Sequence, residues 1–251
     1  MTSHHLTLIT GASRGMGLAM ARQLLASGHT VLAISRQTSA ELAASTDAPA
    51  SLTQWTHDLS DSAALVPRLQ AWLAEQPGTP WHSVTLINNA GVIPKVGPLD
   101  DADGADLARA IRVGLEAPLV LTAAFLQATA DWKSTRKVLN ISSGLGRRPM
   151  ASQAAYCAAK AGMDLFTRCL ALEEAAKPNG AKVCALAPGV IDTDMQAQLR
   201  AAAPDAFPDR GNFVRLKDGG QLTSPEAAAS RVLAWLVRAD FGADVIADAR
   251  G

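Results

Sequence analysis

Tyr156 and Lys160 stand four residues apart in a segment rich in alanine, so on a helix they share one face. A free phenol has a pKa of about 10, too high for easy proton exchange near neutrality. A neighbouring ammonium favours the phenolate, and the two groups can then work as an acid–base unit. Tyr156 is the only tyrosine in the chain. Ser143 follows the apolar run 138–141, and its hydroxyl could hold a substrate carbonyl or steady a developing alkoxide. A tyrosine and a lysine at this spacing are more often a surface pair. A second motif, near the start of the chain, gives them weight.

That motif is Thr10-Gly11-Ala12-Ser13-Arg14-Gly15-Met16-Gly17, placed between an apolar run and an alanine-rich segment. Its glycines let the backbone turn tightly against a pyrophosphate, and the helix N-terminus behind it offers free N–H groups and positive dipole charge. Position gives the motif its meaning, since a bare glycine triplet is weak evidence. An NAD site usually carries an acidic residue at the end of the second strand, where a carboxylate accepts from the ribose 2′-OH. Here that end reads Ile34-Ser35-Arg36, with no acid. A guanidinium at Arg36, helped by Arg14 within the turn, suits a 2′-phosphate. The expected cofactor is therefore NADP(H).

The elements that must position these groups follow from the hydrophobic pattern. Strands are expected at 6–10, 30–34, 52–56, 84–87, 138–141, 182–186 and 245–246. Helices are expected at 16–27, 61–75 (ending near Pro77-Gly78), 103–130 with a kink at Pro118, 153–176 and 225–238. Gly28 is a C-cap and Ser224 an N-cap before Pro225. Alternating strand and helix implies a parallel sheet covered on both faces. The expected fold is α/β, one Rossmann-type doubly wound domain over residues 1–251 with a mainly parallel sheet. Residues 193–223, rich in Ala, Pro, Asp and Gly, break the rhythm and read as a substrate lid.

Composition narrows the function classes. Of 251 residues 48% are hydrophobic and 18% charged, with 23 basic residues balancing 23 acidic ones. A disordered chain is excluded, and so is a general nucleic-acid binder, which needs a basic excess. No apolar run approaches the roughly 20 residues of a membrane helix, and Met1-Thr2-Ser3-His4-His5-Leu6 reads as the approach to a strand. Cys157, Cys169 and Cys184 have neither disulfide nor metal spacing, and His29, His57 and His82 stand alone, so no metal is expected and a reducing, cytoplasmic setting fits. Arg147-Arg148 follows the serine-bearing strand. It reads as a solvated pair or as a contact for an anionic substrate, the former being the plainer reading. Leu145, Met150, Gln153 and Met195 lie beside the reactive groups and are either pocket or packing residues.

These motifs, in this order, resemble the short-chain dehydrogenase/reductases along essentially the whole chain. The resemblance implies that Gly11, Ser13, Arg14, Gly15, Met16 and Gly17 carry the cofactor turn. It implies that Asp58-Leu59 touches the adenine and that Asn88-Asn89-Ala90-Gly91 steadies the sheet and lines the adenosine side. It implies that Pro188, Gly189, Ile191 and Thr193 hold the nicotinamide end. Ser143, Tyr156 and Lys160 fall on the catalytic positions, Lys160 also serving the nicotinamide ribose. Pro188-Gly189-Val190-Ile191-Asp192-Thr193-Asp194-Met195-Gln196 and the C-terminal Val245-Ile246-Ala247-Asp248-Ala249-Arg250 are similar to the sepiapterin and benzil reductase branch. The expected activity is NADPH-dependent reduction of a ketone, diketone or related carbonyl by a homodimer or homotetramer. The alternative is a non-catalytic NADPH-binding regulator. One departure supports that alternative: Gly114 stands where the family keeps an asparagine whose main-chain carbonyl serves a proton relay. The neighbouring residues keep the family pattern, so restoring the asparagine is expected to raise stability or turnover modestly.

Overall fold

Seven strands, most of them buried apolar runs, pair in parallel in the order β3-β2-β1-β4-β5-β6-β7. They are β1 (His5–Thr10), β2 (Thr30–Ser35), β3 (Leu52–Thr56), β4 (Ser83–Asn88), β5 (Thr135–Ile141), β6 (Lys182–Ala187) and β7 (Ile246–Asp248). The computed structural model describes residues 4–45, 52–76 and 81–250. The expected helix end at Pro77-Gly78 and the leading Met1-Thr2-Ser3 lie outside these described residues. Strand order reverses between β1 and β4, and the crevice at the carboxyl ends of those strands is where a doubly wound sheet takes its ligand.

Both faces of the sheet are covered because its strands are apolar on both sides. One face carries α1 (Gly15–Ala26) and α9 (Pro225–Leu236), packed through Met20, Leu24, Ala228 and Val232. The other carries α3 (Ser62–Ala74), α5 (Ala117–Ala128) and α6 (Ala154–Ala175), through Leu65, Leu69, Leu121, Phe125 and Leu170. Burying one such leucine contributes about 1.5–3 kcal/mol. The expected caps are present. Gly28 takes a φ of 79° after α1, and the Ser224 hydroxyl accepts from the Ala227 N–H at 3.2 Å. A short helix α2 (Ala40–Ala43), capped by Ser39, went unread in the sequence.

The expected long helix is three pieces. α4 (Gly104–Ile111) passes into a π-helical turn (Arg112–Glu116), which passes into α5. The distortion therefore falls before Pro118, which sits in the first turn of α5. Ala117 donates back to the Arg112 carbonyl, and Pro118 has no N–H to give the Gly114 carbonyl. By length and mean hydropathy Gly104–Ala128 meets the demands of a membrane span, although Asp106, Arg109, Arg112 and Glu116 interrupt it and no apolar run of about 20 residues is present there. Here it is a core element, with Val113, Ala117, Leu121, Ala124 and Phe125 buried against the sheet.

The segment 193–223 has structure of its own. It holds α7 (Asp194–Arg200) and α8 (Arg210–Asp218), which build a small apolar cluster from Leu199, Phe207 and Phe213 against Ile93, Val96, Met150, Tyr156 and Met195.

Candidate active site

The glycine turn leaves β1 and enters α1, and three contacts define its shape. The Ala12 N–H donates to the Ser35 hydroxyl at 2.8 Å, tying the turn to the end of β2. Asn89 donates its amide to the Thr10 and Gly11 carbonyls at 2.9 and 3.1 Å. The Thr10 hydroxyl accepts from the Asn89 and Ala90 N–H groups at 3.0 Å each. Gly11 and Gly15 take φ of 70° and 56°, a region that favours glycine. Asn89 thus staples the turn, and it lines the cleft together with Ala90 and Gly91.

The cleft is one cavity of about 550 Å³ that runs along the carboxyl ends of the strands. Gly11, Ser13, Arg14, Gly15, Met16, Gly17, Arg36, Asp58 and Leu59 line one end. Pro188, Gly189, Ile191 and Thr193 line it near Ser143, Tyr156 and Lys160. All four expected pocket residues, Leu145, Met150, Gln153 and Met195, line it too. Sequence reasoning missed Ile93, Leu199 and Phe213, which complete the apolar wall. Leu199 and Phe213 come from α7 and α8, and only the packing of those helices reveals them.

A dinucleotide fits this cavity. Arg36 is exposed at its edge and forms no ion pair within 4 Å among the described residues. Asp58 accepts from the Ser60 N–H at 2.9 Å, and that bond holds its carboxyl below the usual range. Arg14 lines the same end of the cavity and is ion-paired there. Its guanidinium reaches Asp194, the first residue of α7, at 2.6 Å.

The reactive groups come from β5 and α6. Ser143 ends the strand segment, and its hydroxyl accepts from the Leu145 N–H at 3.2 Å. The Lys160 ammonium is buried and donates to the Ile141 carbonyl at 2.7 Å. It lies 5.8 Å from the centre of the Tyr156 ring. Burial pushes Lys160 down to about 8, against an upward pull from Asp164. Burial also pushes the Tyr156 phenol above its ordinary value, and its hydrogen bond with Ser143 pulls the other way. The expectation that Lys160 depresses the phenol is therefore outweighed here by desolvation. A phenol held protonated at neutral pH is suited to giving a proton to a carbonyl oxygen.

Asp164, unnoticed in the sequence, organises the ground beneath. It accepts from Ser142 and, at 3.1 Å, from Arg147, whose other nitrogen reaches the Ala247 carbonyl at 2.9 Å. Its position one turn after Lys160 was the available signal. A buried chain of hydrogen bonds, Asn88 to Asn140 at 2.8 Å and Asn140 to Thr167 at 2.8 Å, fixes α6 to β4 and β5. Ser152, just before α6, has a φ of 63°, and its hydroxyl donates to the Ala206 carbonyl between α7 and α8 at 2.7 Å. A strained backbone of this kind costs about 1–3 kcal/mol and persists where packing enforces it.

Gly114 is buried in the π-helical turn against α6. A Cβ there would stand 3.1 Å from the Ala159 Cβ, and Ala159 has no rotamer by which to move away. This contact is tight, so a side chain at 114 requires α6 to shift by a few tenths of an ångström. Gly114→Asn should lower both the thermal midpoint and single-turnover NADPH oxidation, a buried unpaired amide costing about 1–3 kcal/mol. A rise in either would show that the helices can part.

The cysteines are all free, and burial pushes the Cys184 thiol up to about 12, which leaves it inert. No group of side chains suited to a metal ion occurs among the described residues.

A parallel sheet with this strand order, a glycine turn at its switch point and a serine, tyrosine and lysine at the same cleft define an oxidoreductase of the Rossmann type. Residues 5–204 match the family model described as short chain dehydrogenase, and the chain belongs to that family, whose members bind nicotinamide cofactors. It is 37% identical to a benzil reductase, (S)-benzoin forming, of Bacillus cereus over 235 residues, 93% of this chain and 94% of that protein. It is 34% identical to the sepiapterin reductase of Meriones unguiculatus over 247 residues, 93% of this chain and 92% of that one. A metagenomic short-chain oxidoreductase solved in complex with NADP is similar at 28% identity and a TM-score of 0.71, over 98% of this chain and 95% of that one.

Proposed function

We propose that the protein is an NADPH-dependent carbonyl reductase that converts a ketone or vicinal diketone to an alcohol. One observation carries this reading. Ser143, Tyr156 and Lys160 gather at the apolar part of a cavity whose other part is the glycine turn. The similarity to a benzil reductase over nearly the whole of both chains supports the substrate class. When bound, the nicotinamide supplies the hydride. The protein then has to place and polarise the carbonyl. Ser143 and Tyr156 present hydroxyls to the carbonyl oxygen, and Tyr156 gives up its phenolic proton as charge develops there. The Lys160 ammonium, held by the Ile141 carbonyl, steadies the phenolate left behind. Ile93, Leu199 and Phe213 exclude water from the reacting groups. Consumption of NADPH with benzil, aromatic ketones and pterins tests the reading, and failure across that panel would overturn it. A protein that only binds the cofactor has no evident need for these three groups together.

Arg36 sets the cofactor preference in this reading. The unaltered protein should bind NADPH more tightly than NADH, and Arg36→Ala should remove most of that difference, about tenfold or more for a charge-assisted pair. Fluorescence titration of both cofactors measures it, and equal affinities in the unaltered protein would reject it.

We further propose a homodimer, alone or paired into a tetramer, built on α5 and α6. Leu119, Leu165 and Leu172 are 43%, 64% and 77% exposed on these helices. A second copy related by a two-fold axis would cover them. Light scattering should give a dimer or larger mass, and Leu165→Glu with Leu172→Glu should shift it to the monomer.

A further inference from the structure

Four of the six arginines and lysines that line the cavity have partners. Arg14 is paired with Asp194 at 2.6 Å, Arg109 with Asp106 at 2.9 Å and Arg250 with Asp248 at 2.7 Å. Lys160 is bound to the Ile141 carbonyl. Two guanidinium groups have no anionic partner among the described residues. One is Arg36, at the adenosine end. The other is Arg148, which lines the cavity with Leu145, Met150 and Gln153. Its neighbour Arg147 is turned away onto Asp164 and the Ala247 carbonyl, so the structure separates the two members of the Arg147-Arg148 pair.

The acidic side chains of the cavity wall do not neutralise Arg148. Asp194 holds Arg14, Asp192 holds Lys217 at 2.6 Å, and Asp58 lies at the adenosine end. An uncompensated guanidinium at the mouth of an apolar cleft attracts an anion and offers it two parallel donors. By the same logic that assigns Arg36 to a phosphate, we infer that Arg148 receives a carboxylate on the substrate. The substrate class is then a ketone or vicinal diketone with an apolar body and a carboxylate at the end remote from the reacting carbonyl. Ile93, Leu145, Met150, Leu199 and Phe213 would take the apolar body. This inference rests on the carbonyl reductase reading above.

The test compares benzil with its para-carboxy derivative, using NADPH and the full chain. The unaltered protein should favour the carboxylate in kcat/KM. Arg148→Gln should cut that preference by about tenfold, and Arg148→Lys should keep most of it. Added salt should shrink it, because Arg148 is exposed. No preference in the unaltered protein, or a change under threefold in Arg148→Gln, overturns the inference while leaving the reductase reading intact. NADPH titration of Arg148→Gln guards against a second meaning: a loss of cofactor affinity as large as the loss of preference would move Arg148 to the cofactor and overturn the inference. Reduction of neither diketone would bring down the reductase reading and this inference together.

Discussion

Tyr156→Phe should leave NADPH binding nearly intact and reduce turnover of a reactive diketone by about two to four orders of magnitude, the scale of a general acid. The variant keeps the ring, which packs with Met150, Met195 and Phe213, and removes only the hydroxyl. The hydroxyl is what the site invests in. Burial holds it protonated, Ser143 orients it, and a buried ammonium stands 5.8 Å from its ring. Lys160→Ala should harm both steps, because it removes the charge that steadies the phenolate and empties a buried position beside Ile141. Lys160 is pushed down to about 8, so kcat/KM for NADPH, which reports the free enzyme, should fall as pH rises through that value and the ammonium is lost. Fluorescence titration and single-turnover NADPH oxidation separate binding from chemistry. Substantial turnover by Tyr156→Phe would mean that another group delivers the proton.

Gly17→Ala should disrupt the fold around the cofactor turn more than any other single methyl group added there. A Cβ at this position would lie 2.1 Å from the Gly11 carbonyl oxygen and 2.4 Å from the Asn89 amide nitrogen. Neither is the free end of a flexible side chain. The oxygen is backbone, and the amide is held by two hydrogen bonds to the turn. Relief therefore requires α1 to move off β1 and β4. Overpacking of a rigid site costs about 1–3 kcal/mol or more, and for a domain of this size each kcal/mol lowers the thermal midpoint by about 2–4 °C. Loss of NADPH affinity should accompany the fall in midpoint, because the same shift carries the N-terminus of α1 away from the pyrophosphate position. Gly28→Ala is the control. Its Cβ would meet nothing within 4 Å, so it should cost only the strain of its positive φ and leave cofactor affinity alone.

Local chemistry made much of the molecule readable in one dimension. The seven strands and the major helices are where apolar periodicity put them, with ends differing by a few residues, because buried parallel strands and two-faced helices impose their own patterns on composition. The glycine turn was legible because its backbone needs glycine, and the Tyr156–Lys160 face because four residues make about one helical turn. Gly28 and Ser224 marked helix ends through φ and a side-chain acceptor, both local demands.

Contacts between distant residues were not legible, and they decide how the site works. Nothing near Arg14 in the chain announces Asp194, and nothing near Arg147 announces Ala247, yet such contacts distinguish these arginines from Arg36 and Arg148, which have no ion pair among the described residues. The phenol's protonation followed the same rule. Spacing placed an ammonium near Tyr156, but burial, a property of the whole packed cleft, sets the direction of the shift. Nothing in the chain near Gly114 announces Ala159 of α6, whose Cβ would stand 3.1 Å from a Cβ added there. The sequence by itself determined the sheet, the glycine turn and the shared face of Tyr156 and Lys160, because each depends on neighbours within a turn or a strand. Tertiary structure alone decided which charges cancel, which groups lose their water and which helices close on one another. Those outcomes depend on distances that the chain does not encode as spacing.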